Sequence, residues 1–310
     1  MEWYWIFLIV ISSLVGLYVL YVVSYGISMY FFVSHPRKRM RSIQFLRDDE
    51  GSEKKRFLDD YDASWKKEPF TFVGYKGYEL YAEFIPGETE TNKYVICTHG
   101  YTVNHIASVK YANIFKKLGY NIIIYDDRGH GNNKKKGITM GMNESKDLLC
   151  LINYVYDRFG NDIYLGLHGE SMGSSTSLFV LKYGVKVKFV VSDCGYANCK
   201  EFFLNTMKKK YKIPALSVRI ANIVALFCSH AQYFKVRPDL AVKERKDVPI
   251  CFFHGEEDAF IPKYNSDVLF ASASGYKELH QIPEAKHCQS IVVDRVRYFE
   301  IVKSFLSKID

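Results

Sequence analysis

The chain has 310 residues, 48% of them hydrophobic and 25% charged, which is enough to bury a sizeable core in one main domain. Its formal net charge is +8, but no zinc spacing, RNA-binding signature or phosphate-binding glycine loop accompanies the basic residues. We therefore expect no nucleic-acid partner, no metal and no cofactor. The seven scattered cysteines, an odd number, favour free thiols over a disulfide framework.

An apolar segment opens the chain. Residues 3–34 contain no charged side chain, and a helix of about 20 apolar residues suffices to cross a bilayer. Aromatic residues stand at both ends of the segment, as they do at membrane interfaces. A cleaved signal peptide is shorter and starts with basic residues, whereas this chain starts Met1-Glu2. We predict a retained transmembrane anchor over residues 1–34.

Basic residues follow this anchor on its C-terminal side only: Arg37, Lys38, Arg39 and Arg41. The positive-inside rule then places the rest of the chain in the cytoplasm, and free thiols agree with a reducing compartment. The four basic side chains are expected to contact anionic lipid headgroups, at about 1 kcal/mol each near the surface. The predicted localisation is a single-pass membrane protein with a cytoplasmic domain.

Residues 35–69 are charged and poorly patterned, which predicts a basic juxtamembrane segment and linker. From residue 70 onward, an apparent antiparallel strand pair is followed by alternating apolar strands and helical periods. The later strand candidates are short and almost continuously apolar, as parallel strands buried on both faces are. They are KYVICTHG, YNIIIYDD, DIYLGLHG, VKFVVSD, VPICFFHG and residues 276–282. The pattern predicts an α/β domain over residues 70–310 with a mostly parallel, doubly wound sheet.

About fifty residues, 194–247, interrupt this alternation and contain two apparent helices. They predict a helical lid over the ends of the strands. Four apolar residues recur there at helical spacing, so one face of a lid helix should be apolar: Ile220, Ile223, Val224 and Phe227. We expect this face to line the cleft. Packing of the same face on the core, or contact with the bilayer, are the alternatives.

A nucleophile motif follows one of the predicted strands, in Gly169-Glu170-Ser171-Met172-Gly173. This G-x-S-x-G pattern is typical of the nucleophile elbow, a sharp strand-to-helix turn that exposes a serine hydroxyl. The glycines remove side chains that would clash in such a turn. Ser171 is therefore the candidate nucleophile.

A serine hydroxyl needs a histidine to take its proton and a carboxylate to hold that histidine. Of the nine histidines, His287 lies after the last predicted strand, where the chain order Ser, acid, His places the base. Two aspartates end strands after the elbow. We favour Asp258 as the acid, since it lies in the loop after the penultimate strand, and Asp193 remains the alternative.

The oxyanion that forms during acyl transfer needs two backbone N–H donors. Met172, next to the nucleophile at a helix N-terminus, is the first candidate. Tyr101, in the loop His99-Gly100-Tyr101 after the strand KYVICTHG, is the second. We expect His99 itself to brace this loop.

Five motifs occur in the order found in α/β hydrolases: HGYT, DDRGHG, GESMG, GEEDAFIP and EAKHCQ. Over residues 70–310 the chain resembles the membrane-anchored bacterial group of lysophospholipase-like or serine aminopeptidase-like hydrolases. The resemblance implies an α/β-hydrolase fold and the triad Ser171, Asp258 and His287. It also implies that residues 127–131 brace the loop beside the site.

The expected function is hydrolysis of a carboxylic ester or thioester through an acyl-serine intermediate. The apolar lid and the anchor favour a small acyl ester or a lipid-derived substrate. A serine peptidase of the same fold is one alternative, which Glu170, Glu256 and Glu257 keep open as partners for an amino group. A catalytically silent, membrane-tethered interaction module is the other, and it predicts the loss of a triad residue.

Overall fold

The computed structural model describes residues 2–36, 40–42, 58–59 and 61–309, without the side chains of residues 207–211. Three of the predicted lipid-contacting residues, Arg37, Lys38 and Arg39, lie outside the described residues. So does most of the predicted linker, residues 35–69. The predicted hydrolase domain is described almost completely.

The domain is built on a sheet of eight strands: β1 (Glu68–Val73), β2 (Glu79–Ile85), β3 (Lys93–Thr98), β4 (Asn121–Tyr125), β5 (Tyr164–Glu170), β6 (Phe189–Asp193), β7 (Ile250–Gly255) and β8 (Lys277–Ile282). Their order is β1-β2-β4-β3-β5-β6-β7-β8. Strand β2 runs antiparallel to β1 and β4, and all other neighbours are parallel. Because the strand order reverses between β3 and β5, their carboxyl ends form the crevice where open α/β sheets bind ligands.

The helices that cover the sheet are α2 (Val109–Lys117), α3 (Glu144–Phe159), α4 (Met172–Phe179), α7 (Pro238–Glu244), α8 (Tyr264–Ser272), α9 (Ser290–Val293) and α10 (Arg295–Ile309). Short 3₁₀ turns extend two of them, His105–Ser108 before α2 and Val180–Tyr183 after α4. Alternate side chains of each central strand point to opposite faces. On β3, Val95 packs with α2 and α10, whereas Ile96 packs with α3 and α4. The predicted doubly wound sheet is confirmed.

The insertion between β6 and β7 covers residues 194–249 and contains three α-helices instead of the two expected. Helices α5 (Cys199–Tyr211) and α6 (Ala215–Ser229) lie beyond the strand ends, followed by a 3₁₀ turn at Tyr233–Lys235. The third helix of the predicted range 194–247, α7, packs against α4 and α8 instead. It therefore belongs to the helical layer of the sheet, and only α5 and α6 occupy the position of a lid.

The N-terminal helix α1 (Glu2–Ser34) has two parts with different surroundings. Residues 2–21 are exposed throughout, and 20 residues of helix span about 30 Å, the thickness of a bilayer core. From Val22 onward the helix packs on α6: Ser217 Oγ donates to the Val22 carbonyl at 3.0 Å, and the Tyr30 and Ser229 hydroxyls lie 2.7 Å apart. In length and composition α1 is a candidate membrane span.

This contact corrects the expectation for the apolar face of α6. Ile220 packs against Gly26 of α1. Val224 is half-buried against the apolar cluster that contains Tyr30 and Val33 of α1. Ile223 and Phe227 are 52% and 75% exposed and do not line the cleft. The prediction failed because the partner of this helix is the N-terminal segment, which lies about two hundred residues away along the chain and which no local pattern reveals.

The α1–α6 interface can be tested through two glycines of α1. A Cβ atom on Gly26 would lie 2.6 Å from the Ile220 Cβ and 2.9 Å from the Ser217 carbonyl oxygen, whereas one on Gly16 would meet nothing within 4 Å. Gly26→Leu should therefore destabilise the protein by about 1–3 kcal/mol through overpacking. The matched variant Gly16→Leu should not, in thermal unfolding of the full chain in detergent. Equal Tm values for the two variants would contradict the interface.

Candidate active site

Ser171 lies in a strained turn between β5 and α4, with φ 56° and ψ −117°. Close packing produces the turn and requires both glycines of the motif. A Cβ on Gly169 would lie 2.3 Å from the Gly173 carbonyl oxygen, and one on Gly173 would lie 2.2 Å from the Thr98 carbonyl oxygen at the end of β3. The turn therefore presents the hydroxyl at the crevice between β3 and β5.

Three of the predicted residues meet at this turn. The Ser171 Oγ lies 2.9 Å from the His287 Nε2, and the His287 Nδ1 lies 2.7 Å from the Asp258 Oδ2. The second carboxylate oxygen of Asp258 accepts the backbone N–H groups of Phe260 and Ile261, at 2.9 and 2.8 Å. The carboxylate is thus fixed on both sides and holds the imidazole toward the serine.

The alternative acid, Asp193, lies at the end of β6 and is not placed at the imidazole. Its carboxylate accepts the Ser290 hydroxyl at 2.9 Å and the Tyr111 hydroxyl at 3.1 Å. Its backbone carbonyl accepts the Ser171 N–H at 2.8 Å. Asp193 therefore stabilises the turn that carries Ser171, through this backbone hydrogen bond.

Two thiols stand beside the imidazole. Cys288 follows His287 in the chain, and its Sγ lies 3.7 Å from the Sγ of Cys194, within hydrogen-bonding distance for sulfur. That hydrogen bond lowers the pKa of Cys288 in spite of its burial. Burial lowers the pKa of His287, but the neighbouring Cys288 and Asp258 more than offset this and hold it well above the ordinary value. Sequence reasoning missed both cysteines, because 94 residues separate them.

The loop predicted to hold the oxyanion runs beside the elbow: a Cβ on Gly100 would lie 3.4 Å from the Ser171 Cβ. His99 braces it as expected, since its Nε2 accepts the Asp127 N–H at 2.9 Å and its Nδ1 donates to the Gly100 carbonyl at 2.7 Å. His130 adds a second brace by accepting the Thr102 N–H at 3.2 Å. Burial lowers the pKa of His99 to about 3, so this brace stays neutral.

The two predicted oxyanion donors lie on either side of the nucleophile. Met172 is the first residue of α4, whose leading N–H groups have no partner within the helix. Tyr101 lines both pockets that reach Ser171, and its hydroxyl donates to the Val33 carbonyl of α1 at 2.7 Å. Through this side chain, the loop predicted to hold the oxyanion is tied to the N-terminal helix.

Two pockets open on Ser171. One is a narrow apolar slot of about 60 Å³, lined among others by Phe32 and Val33 of α1 and by Phe202 and Phe203 of α5. The other is a polar cleft of about 420 Å³ that also contains His287, Cys288, Lys110, Glu170 and Arg41. The slot and the cleft meet at the hydroxyl, so a bound substrate can place two unlike parts on the two sides of its reacting carbon.

An ion pair in the cleft was not foreseen. The ammonium of Lys110 donates to the Glu170 carboxylate, which also accepts the Tyr111 hydroxyl at 2.7 Å. Both charged side chains are at least 88% buried, since they are 12% and 5% exposed. Lys110 comes from α2 and Glu170 from the elbow, and only the fold brings them together.

Known proteins resemble this chain over most of its length. A family model described as serine aminopeptidase, S33, matches residues 89–222. The chain is 28% identical over 248 residues to the uncharacterized protein YqkD of Bacillus subtilis strain 168, covering 79% of this chain and 81% of that protein. It is 26% identical over 230 residues to the uncharacterized protein YfhR of Escherichia coli K12, covering 72% and 74%.

Solved structures share the same architecture. The esterase Pf2001 of Pyrococcus furiosus superposes with a TM-score of 0.63 at 20% identity, over 81% of this chain and 95% of that one. The acylaminoacyl peptidase of Pyrococcus horikoshii gives 0.62 at 15% identity, over 81% and 43%. The sheet order, the nucleophile elbow and these likenesses show that the chain has the α/β-hydrolase fold.

The pH dependence of hydrolysis should report the His287–Cys288 pair. Only neutral imidazole can take the Ser171 proton, so kcat/KM for an activated ester should rise with pH through the pKa of His287. Cys288→Ser removes a neighbour that raises this pKa, so the midpoint should move to lower pH. Profiles from about pH 5 to 10 with a chelator present would measure this shift, with Cys150→Ser on α3 as control. An unchanged midpoint, or one moved to higher pH, would contradict the coupling.

Proposed function

We propose that the chain is a membrane-anchored serine hydrolase that cleaves a carboxylic ester or thioester of a small acyl group or lipid. Ser171 is the nucleophile, His287 the general base and Asp258 the acid that orients it. The observation that carries the proposal is the continuous path from Asp258 Oδ2 through the imidazole to Ser171 Oγ, with spacings of 2.7 and 2.9 Å. Both distances are those of direct hydrogen bonds.

In the acylation step the Ser171 Oγ attacks the carbonyl carbon while its proton passes to His287 Nε2. The imidazolium then protonates the leaving alcohol or thiol as the bond to the acyl carbon breaks. A water molecule repeats the sequence on the acyl-serine, so that one ester and one water yield one acid and one alcohol. Burial raises the pKa of Asp258, but hydrogen bonds from His254 and His287 lower it to about 2, so it remains the anion that supports the imidazolium.

The backbone N–H groups of Met172 and Tyr101 are the proposed oxyanion donors. They are fixed in different ways: Met172 by the start of α4, and Tyr101 by the braces that His99 and His130 provide. Donors held in place before the reaction lower its barrier most, because no reorganisation is needed as charge develops. This supports acyl transfer over a silent fold, as does the presence of all three triad side chains at bonding distance.

The apolar slot supports an acyl group on the substrate. Its walls are aromatic and aliphatic, and burying a methylene there gains about 0.8 kcal/mol. The polar cleft, with Lys110 and Glu170, then takes the leaving group. Because the slot is narrow, we expect short acyl chains to fit best.

A peptidase of the same fold remains the second candidate, favoured by the family match to serine aminopeptidases. An aminopeptidase needs a carboxylate for the free amino group. Among the described residues lining the slot and the cleft, Glu170 is the only carboxylate, and the Lys110 ammonium already occupies it. Glu256 and Glu257 are exposed and belong to neither lining. The electrostatics therefore favour an ester or thioester.

The membrane assignment is part of the proposal. The exposed stretch 2–21 of α1 has the length of a bilayer core, and we propose that it spans the membrane, with the domain in the cytoplasm. Arg41 lies at the edge of the cleft, where its backbone N–H donates to the Thr102 carbonyl at 2.8 Å. Ile223 and Phe227 are exposed on α6, the helix that packs on α1, and fit contact with the bilayer surface.

The triad assignment is tested by a pair of conservative variants. Asp258→Asn should lower kcat by about 10⁴-fold, because the amide cannot hold the required tautomer of His287. Asp193 is also a buried carboxylate and lies beneath the same turn, and the kcat of Asp193→Asn should fall far less. Ser171→Ala should abolish both turnover and labelling by a fluorophosphonate probe, with an unchanged circular dichroism spectrum. Labelling that survives in Ser171→Ala, or a larger loss in Asp193→Asn, would overturn the assignment.

Acyl selectivity is tested by an ester series from acetate to decanoate on the full chain. In the wild type, kcat/KM should rise about fourfold per methylene until the slot is filled, and then fall. Phe202→Ala should move the optimum to longer chains, because this ring lines the slot. Phe227→Ala is the matched control, since its ring is 75% exposed on α6, and its profile should stay as in the wild type. A shift in Phe227→Ala alone would place the acyl group elsewhere.

A further inference from the structure

Three potential metal ligands meet at the catalytic base. The Sγ atoms of Cys194 and Cys288 and a ring nitrogen of His287 all lie within 4.8 Å of one another. The two sulfurs are 3.7 Å apart, too far for a disulfide. In a tetrahedral zinc site with Zn–S bonds of about 2.3 Å, two thiolates lie about 3.8 Å apart. The spacing of the pair is therefore that of two ligands around one cation.

Both thiols are held by uncommon backbone conformations. Cys194, directly after β6, has φ 48°, and Cys288, directly after His287, has φ 62°. Non-glycine residues rarely adopt positive φ, because each instance costs free energy and persists only where the surrounding structure imposes it. Cys194 is fully buried, whereas Cys288 lines the polar cleft that reaches Ser171. A cation that enters the cleft thus reaches the Cys288 thiol at the cleft wall, and the buried Cys194 thiol lies directly behind it.

We propose that Cys194, Cys288 and His287 form an inhibitory binding site for a thiolate-preferring divalent cation, represented by Zn²⁺. This inference rests on the proposed role of His287 as the general base. Two thiolates and an imidazole are ligands that zinc prefers, whereas Mg²⁺ and Ca²⁺ require oxygen. The two thiols release their protons to solvent on binding, and the fourth position is left for water or the Ser171 hydroxyl.

Inhibition follows from the hydrogen bonds of the imidazole. Its Nε2 faces the Ser171 hydroxyl and its Nδ1 faces the Asp258 carboxylate. A cation bound to Nε2 occupies the lone pair that takes the serine proton, and one bound to Nδ1 breaks the contact with the acid. Either way His287 no longer acts as a base, so the metal-bound enzyme is inactive until the cation leaves.

A second cluster, Cys251, Glu278 and His280, offers one thiol, one carboxylate and one imidazole, but its carboxylate is already hydrogen-bonded. The Glu278 carboxylate accepts the Tyr276 hydroxyl at 2.7 Å, the Lys308 ammonium at 2.9 Å and the His280 ring at 2.9 Å. These bonds would have to break before a cation could bind. Beside Ser171, the nearby Lys110 ammonium donates to the Cys288 backbone carbonyl at 3.3 Å rather than to a thiol, and the two thiol sulfurs lie 3.7 Å from each other.

Metal binding is measured on Ser171→Ala, which keeps all three ligands and removes turnover from the readout. The full chain in detergent is titrated with Co²⁺ under a thiol-free reductant. Tetrahedral Co²⁺ with thiolate ligands gives intense d–d bands and a sulfur-to-metal charge-transfer band, and Zn²⁺ should displace it at one equivalent. Cys194→Ser in the same background should weaken binding by at least about tenfold, since outer partners of metal sites alone contribute 10–100-fold. Cys228→Ser, an exposed thiol on α6, is the matched control and should bind as the parent does.

Inhibition is measured separately, on ester hydrolysis by proteins with Ser171 intact, each normalised to its own rate in chelator. Zn²⁺ should inhibit the wild type and Cys228→Ser alike, EDTA should restore activity, and Cys194→Ser should need at least about tenfold more Zn²⁺. Absence of the cobalt bands, or equal Zn²⁺ sensitivity in Cys194→Ser, would overturn the proposal. So would inhibition that reductant reverses and EDTA does not, because that result indicates a disulfide. Failure of fluorophosphonate to label the metal-free wild type would instead refute the hydrolase assignment.

Discussion

The close approach of three backbones at the end of the sheet is the constraint on which the site depends. The end of β3, the turn after β5 and the first turn of α4 come so near one another that Gly169 and Gly173 leave no room for a Cβ. This packing holds Ser171 at a positive φ that a serine does not otherwise favour. The same approach brings the loop of Gly100 beside the hydroxyl, so one contact positions both the proposed nucleophile and the proposed oxyanion loop.

The histidines around this contact divide into two electrostatic groups. His99 and His130 are buried and accept backbone N–H groups, and burial lowers their pKa values to about 3 and about 4. They therefore act as neutral braces at neutral pH. His287 faces Asp258 and Cys288, which raise its pKa. Among these three imidazoles, the proposed proton transfer is thereby confined to His287.

The sequence predicted the features whose determinants are local. The elbow is a five-residue motif, and His287 and Asp258 follow from chain order relative to strands that are themselves nearly continuous apolar runs. Contacts between distant segments left no such signal. The proximity of Cys194 and Cys288 depends on how the fold brings two distant loops together. The packing of α1 on α6 depends on a glycine, Gly26, that in sequence is one more small residue of an apolar helix.

The packing of α1 on α6 makes the last turns of the N-terminal helix part of the wall around Ser171. Its last turns carry Phe32 and Val33 into the wall of the slot, the Val33 carbonyl accepts the Tyr101 hydroxyl, and Ser34 is hydrogen-bonded to the Ile138 carbonyl at 2.8 Å. A simple tether would need none of these contacts, since a flexible linker holds a domain near a membrane equally well. Here the helix is continuous from its exposed, bilayer-length part to the proposed acyl site. Because a helix transmits position along its axis, insertion of the proposed anchor into a membrane would also set the distance between the mouth of the slot and the lipid surface.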